Sequence, residues 1–212
     1  MRAYDIRCTL QCDSSDRRSL KFIMPRPPLL PTLNWSDIFE CGLEYAAWLD
    51  GAENPTHREK MNEFYARVSL SDSDETMLRA IDRPVHIVAI AEDWCPDVVR
   101  HVPILMKMAD ASDQVRVRFI TREARLDAFA RFLTVGGEAI PKFVFLSDQF
   151  VECGAWGPMQ ADCRELIARG KACGDLKTAR EKVFARYKAD PERREVLAEL
   201  RALLEIASCS TP

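Results

Sequence analysis

The hydrophobic pattern is clearest in an apolar run that ends abruptly at an acidic pair. Residues 85–91 read VHIVAIA, and Glu92-Asp93 follows, and then Trp94-Cys95-Pro96. A short run rich in β-branched residues predicts a buried strand, and proline favours the first turn of a helix. We therefore predict a strand at 85–90, a tight turn, and a helix that begins beside the Cys95 thiol.

The pattern beyond this helix completes an α/β core. Strands are predicted at 115–120, 142–146 and 150–155, and helices at 124–133 and 161–171. Strands that alternate with helices are expected to be parallel, whereas the short turn at 147–149 predicts a hairpin of the last two strands. The predicted fold is α/β, with a central mixed sheet flanked by helices.

Helical periodicity precedes this core. Residues 34–83 carry three predicted helices, which begin near Ser36, Asn54 and Ser73. Such an extension would cover a sheet face or form one wall of a cleft above the thiol. Residues 1–33 predict either a short hairpin or a partly ordered tail, and then a proline-rich linker.

Two further helices follow the core. Their leucines and valines share one face, which indicates packing on the core or, alternatively, a partner or dimer surface. The predicted divisions are 1–33 (tail or hairpin plus linker), 34–83 (helical extension), 84–174 (core) and 175–212 (C-terminal helices).

The composition excludes several functional classes. The 212 residues are 47% hydrophobic and 30% charged, with a net charge of −3, as in ordinary globular proteins. An acidic balance argues against non-specific nucleic-acid binding. No apolar run reaches the ~18 residues of a membrane span, and residues 1–24 lack a signal-peptide core. We expect a cytoplasmic protein without nucleic-acid or membrane partners.

The metal-ligating residues form no recognisable site. The chain has eight cysteines and only three scattered histidines. Cys8 and Cys12 lack a second pair nearby to complete a tetrahedral set, so we interpret them as packed thiols. His86 is expected to be a hydrogen-bonded core residue, and no phosphate-binding loop is present. The sequence therefore predicts neither a metal nor a cofactor.

Four features resemble the thioredoxin superfamily over roughly residues 84–169. They are Trp94-Cys95, a helical Pro103 eight residues after the cysteine, Ile140-Pro141 before a strand, and Gly157. The resemblance implies a thioredoxin-like fold with Cys95 as the active cysteine. It also implies that the Ile140–Pro141 peptide is cis and faces the thiol, with Gly157 beside it.

The chain departs from the family's motif at its second cysteine. The motif Cys-x-x-Cys reads Cys95-Pro96-Asp97-Val98, so valine replaces the resolving thiol, and Ala89 stands where thioredoxin carries a buried acid. A lone thiolate can still form a mixed disulfide that an external thiol releases, or be oxidised to a sulfenic acid. It cannot complete rapid dithiol reduction alone.

The sequence leaves the reactivity of the thiol open. The helix start, Arg100, His101 and Lys142 would each lower its pKa if they approach, whereas Glu92, Asp93 and Asp97 would raise it. His101, six residues along the helix, points elsewhere and is a poor catalytic partner. Trp94 and Trp156 either flank the thiol as an apolar docking surface or are ordinary core aromatics. The predicted binding set is Trp94, Pro96, Asp97, Val98, Ile140, Pro141, Trp156 and Gly157.

Two functional hypotheses follow. In the first, Cys95 acts in thiol–disulfide exchange or redox sensing, as a monothiol oxidoreductase would, with protein thiols or disulfides or a small thiol such as glutathione as partner. Such a thiol should be alkylated well below a pH of about 8.5. In the second, the protein is a non-catalytic binding module that grips a peptide or protein beside Pro141. A glutathione-using enzyme is less favoured, because no residue set identifies a tripeptide site.

Overall fold

A computed structural model of the chain describes residues 32–52 and 54–210, which form a mixed sheet with helices packed against it. The hairpin or tail predicted for residues 1–33 lies almost wholly outside the described residues. The strands are β1 (Val85–Ile90), β2 (Val115–Ile120), β3 (Lys142–Leu146) and β4 (Glu152–Trp156). The helices are α1 (Trp35–Glu40), α2 (Tyr45–Asp50), α3 (Pro55–Arg67), α4 (Asp72–Arg79), α5 (Pro96–Ala109), α6 (Leu126–Phe129), α7 (Ala161–Cys173), α8 (Leu176–Ala189) and α9 (Arg194–Ala207).

The sheet has the order β2-β1-β3-β4 and confirms the predicted α/β class. β1 and β2 are parallel, whereas β3 is antiparallel to both of its neighbours. Every residue of β1 and β3 is buried, because helices cover both faces of the sheet centre. The first three strands have the predicted bounds, and β4 begins later than predicted.

The register of the two central strands brings the predicted site together. Ile90, the last residue of β1, pairs with Lys142, the first residue of β3. The turn that follows β1 and the loop that precedes β3 therefore lie at the same edge of the sheet. Cys95 belongs to that turn, and Pro141 belongs to that loop.

The first predicted helix, from Ser36 to residue 51, is wrong, because two short helices occupy this stretch. α1 is capped by Asn34, and the chain then leaves the helix to approach β2. Backbone hydrogen bonds of 2.9 and 2.8 Å join Leu43 and Phe119. Gly42 precedes this bridge at a point where a Cβ atom would meet the neighbouring strand. A tertiary contact thus interrupts the helical periodicity.

Three other helix bounds shift for local reasons. α4 is capped by Ser71, whose side chain exchanges hydrogen bonds with Asp74, rather than by Ser73. The helix predicted at 124–133 is reduced to α6 between two turns of 3-10 helix. The last helix, for which the sequence predicts a start at Asp190-Pro191, begins after Arg193, which adopts a left-handed conformation with φ 58°.

The flanking helices pack on the core. α9 contacts β3, β4 and α5, and its apolar face is buried, which supports the packing interpretation of the leucine stripe. From the N-terminal extension, Trp48 Nε1 donates to the Ala91 carbonyl at 3.3 Å, and its ring stacks on Phe119. No helix in the described ranges combines the length and apolar character that crossing a membrane requires.

Candidate active site around Cys95

Cys95 is the residue that caps the N-terminus of α5. Its N–H donates to the Glu92 carbonyl at 3.1 Å, which closes the turn after β1, and Pro96 occupies the first helical position. Proline fits there because that position needs no hydrogen-bonding N–H. The thiol is half-buried and therefore remains within reach of solvent.

The loop before β3 faces this thiol. The Ile140–Pro141 peptide is cis, as the resemblance implies, and Cys95 Sγ donates to the Ile140 carbonyl at 3.4 Å. Gly157 lies against the same loop with φ +115°, and a Cβ atom there would lie 2.0 Å from the Pro141 carbonyl oxygen. Only glycine lets the chain after β4 approach so closely. The three elements predicted from motif spacing therefore meet at one place.

The pKa of the Cys95 thiol is raised above its ordinary value, mainly because burial disfavours the thiolate. The Asp97 carboxylate adds to this effect. The N–H groups of Val98 and Asp97 and the Arg100 guanidinium act in the opposite direction, although neither N–H makes a full hydrogen bond to the sulfur. The structure thus supplies the sign that the sequence left open, and alkylation well below a pH of about 8.5 is no longer expected.

Asp97 connects the site to the C-terminal helices. Its carboxylate forms an ion pair of 3.1 Å with Arg100, whose guanidinium lies over the rings of Phe184 and Tyr187. Burial raises the pKa of Asp97, while Arg100 and the Tyr187 hydroxyl lower it. The Tyr187 hydroxyl also lies 3.2 Å from Nε2 of His101.

His101 is fully buried, and burial lowers its pKa to about 3. The ring is therefore neutral at ordinary pH and packs against Trp156, which agrees with the expectation that it is no catalytic partner. His86 is likewise a core residue, with Nδ1 3.2 Å from the Ser147 carbonyl oxygen.

Comparison with known proteins identifies the family of this chain. The sequence profile described as Thioredoxin matches residues 42–178. The chain belongs to the thioredoxin family. A search of curated proteins found no match.

Two solved structures share the fold. A protein of unknown function from Pseudomonas aeruginosa is 17% identical, with a TM-score of 0.65 over 82% of this chain and 98% of that one. An HIV epitope-scaffold is 16% identical, with a TM-score of 0.60 over 80% of this chain and 96% of that one. At these identities the likeness concerns the fold alone.

The site has neither the second cysteine nor the buried acid of the thioredoxin motif. Val98, at the position of the second cysteine, is fully buried, and so is Ala89 on β1. Cys153 lies on β4, three residues before Trp156, which corresponds to ~10 Å along the strand. It is therefore displaced along β4 from the end of the strand that lies beside Pro141. No cluster of metal-ligating side chains occurs among the residues that the structure describes.

The two predicted tryptophans have different environments. Trp94 is 54% exposed, and the Arg122 guanidinium lies 5.3 Å from its ring centroid. Trp156 is 3% exposed, and its Nε1 donates to Glu199 Oε2 at 2.6 Å. Trp94 is therefore an exposed aromatic next to Cys95 in this thioredoxin-family site, whereas Trp156 is a core aromatic packed beneath it.

Lys142 has a structural role that the sequence did not indicate. Its buried ammonium group donates to the Gly157 carbonyl at 2.9 Å and to the Thr134 hydroxyl. Burial lowers its pKa to about 8. Lys142 takes no resolved part in setting the pKa of Cys95, and instead joins the loops on either side of Pro141. The sequence does carry a signal for this role, which is a lysine at the start of a strand that is otherwise apolar.

Proposed function

We propose that this protein acts in thiol–disulfide exchange through the single thiol of Cys95. The observation that supports this function best is the position of that thiol, half-buried at the start of α5 and 3.4 Å from the carbonyl that precedes cis-Pro141. The expected partners are protein disulfides or small disulfides and thiols.

The exchange follows from the chemistry of one sulfur. The Cys95 thiol loses its proton to solvent, and the thiolate attacks one sulfur of a disulfide R–S–S–R′. A Cys95–S–S–R bond forms, the old S–S bond breaks, and R′–S⁻ leaves and takes up a proton. Because Val98 supplies no second thiol, an external thiol must release the adduct.

The raised pKa of Cys95 favours a persistent adduct over rapid turnover. Attack is slow at neutral pH because little thiolate is present. Once the mixed disulfide has formed, however, a thiol of raised pKa is a poor leaving group. These properties fit redox sensing, or long-lived covalent binding of a partner, better than fast reduction of disulfides.

The backbone around Pro141 is largely closed to a partner. The Ile140 carbonyl accepts from the Cys95 thiol at 3.4 Å, and Ile140 is only 3% exposed. Pro141 and Gly157 are buried as well. A partner of Cys95 therefore meets Trp94 and Pro96, the exposed residues on either side of the cysteine, rather than an open strand edge at this loop.

Site occupancy in a redox buffer tests the proposal. The folded protein is equilibrated with hydroxyethyl disulfide and mercaptoethanol, both uncharged, and adducts are assigned by peptide mapping. We expect Cys95 to be more fully occupied than Cys173, an exposed thiol that serves as the internal control. If Cys95 stays unmodified while Cys173 reacts, the proposal fails.

A second candidate is a binding module in which Cys95 is incidental. The buried Val98 and the raised pKa of Cys95 favour it, because both remove properties that fast redox enzymes need. The substitution Cys95→Ser separates the two. Under exchange it abolishes covalent capture of a disulfide-bearing peptide, whereas under binding alone it leaves the affinity for that peptide unchanged.

A further inference from the structure

A cavity of about 570 Å³ opens next to the first turn of α5, and Cys95 itself is not among the residues that line it. Pro96 and Asp97, which directly follow Cys95, line one side, and the segment that ends at Ala139 lines another, just before Ile140. The remaining wall comes from α7 and α8. This volume is typical of small-molecule sites and too small for a folded partner.

The charges around this cavity do not balance. Both of its carboxylates are already paired, since Asp97 binds Arg100 at 3.1 Å and Glu138 binds Arg122 at 3.4 Å. The basic side chains of α7 and α8 that line the cavity have no such compensation.

Three of the basic side chains that line the cavity have no carboxylate partner among the described residues. Arg164 donates to the Met159 carbonyl, and neither Lys171 nor Arg180 forms an ion pair with a residue in the described part of the chain. Lys171 Nζ lies over the turn before Pro141, 3.7 Å from where a Cβ of Gly137 would be. The cavity thus has unpaired positive charge on the walls that α7 and α8 form.

We propose that this cavity selects small anionic disulfides as the partners of Cys95. The inference rests on the proposed function and names its substrate class. Carboxylate-bearing molecules are attracted to the unpaired cations, while the apolar rings of Phe184 and its neighbours receive their carbon chains. Arg180 and Phe184 lie beyond the end of the thioredoxin match at residue 178, whereas Arg164 and Lys171 lie within it, so the C-terminal addition completes the charged wall of the cavity.

Three disulfides of similar size test this selectivity. Dithiodipropionate is anionic, hydroxyethyl disulfide is neutral and cystamine is cationic. Initial rates of adduct formation at Cys95 are measured at low salt by peptide mapping. The perturbation is the double variant Lys171→Glu/Arg180→Glu. Its control is Lys177→Glu/Lys182→Glu, which makes the same charge change on exposed side chains of α8 outside the cavity.

The ratio of the anionic to the cationic rate gives the result. We expect the cavity variant to lower this ratio about tenfold or more, the control variant to change it less than about threefold, and high salt to remove the difference. The inference is overturned if both variants lower the ratio equally, or if neither does. If no disulfide forms an adduct at Cys95 in the unmodified protein, the proposed function fails and the inference fails with it.

Discussion

The buried His101 provides a quantitative test of the packing beneath the site. Its ring is enclosed between Tyr187 and Trp156, with Nε2 3.2 Å from the Tyr187 hydroxyl. Burial, followed by the positive charges of Arg193 and Arg100, lowers its pKa to about 3. An unfolded histidine has a pKa of about 6.5.

This difference makes the stability depend on pH. Below a pH of about 6.5 the unfolded chain takes up a proton at His101, whereas the folded chain takes up none until the pH approaches 3. The stability present above the unfolded pKa is therefore lost as the pH falls. A pH of about 5 lies about 1.5 units below the unfolded pKa. Protonation of His101 then stabilises the unfolded state by about 2 kcal/mol, at about 1.4 kcal/mol per unit.

Urea unfolding at neutral pH and at about pH 5 measures this loss. The variant His101→Gln cannot titrate in this range, while the other ionisable groups are common to both proteins. We expect the unmodified protein to lose about 2 kcal/mol more than the variant between the two conditions. Equal losses would mean that the folded protein accepts the proton on His101, which contradicts the enclosure of its ring.

Two further predictions concern the thiol and the loop that faces it. Gly157→Ala should destabilise the fold by about 3 kcal/mol or more in urea unfolding, because its Cβ would meet the Pro141 carbonyl. Gly174→Ala, also at positive φ but in open space, should cost only about 1 kcal/mol, and equal costs would contradict the contact. Asp97→Asn should lower the pKa of Cys95, because it removes a carboxylate that raises it. Alkylation rates at fixed pH should then increase, and a decrease would show that Asp97 favours the thiolate.

The sheet and the position of the thiol were predictable because they depend on local patterns. β1 and β3 are fully buried strands, so apart from His86 and Lys142 their sequences are apolar runs that can be recognised without knowledge of their neighbours. Pro96 marks the start of α5 for a similarly local reason, since proline suits the first helical position. The resemblance to thioredoxin then implied that Pro141 and Gly157 lie beside the thiol, and the structure has the cis Ile140–Pro141 peptide there with Gly157 packed against it.

Features that depend on contacts between distant residues were not predictable. The break between α1 and α2 arises because Leu43 pairs with Phe119, far along the chain. The direction of the Cys95 pKa shift depends on how deeply the thiol is buried. The cavity exists because α8 returns to the site and brings Arg180 with it. None of these has a signature in the spacing of residues around the motif.

Iodoacetamide labelling of the folded protein at several pH values, followed by peptide mapping, measures whether Cys95 is accessible and how its thiol titrates. A half-buried thiol at the start of α5 should react without unfolding, with a midpoint above the ordinary cysteine value of about 8.5. The account is contradicted if Cys95 reacts only when the protein unfolds, or if its midpoint lies below that value.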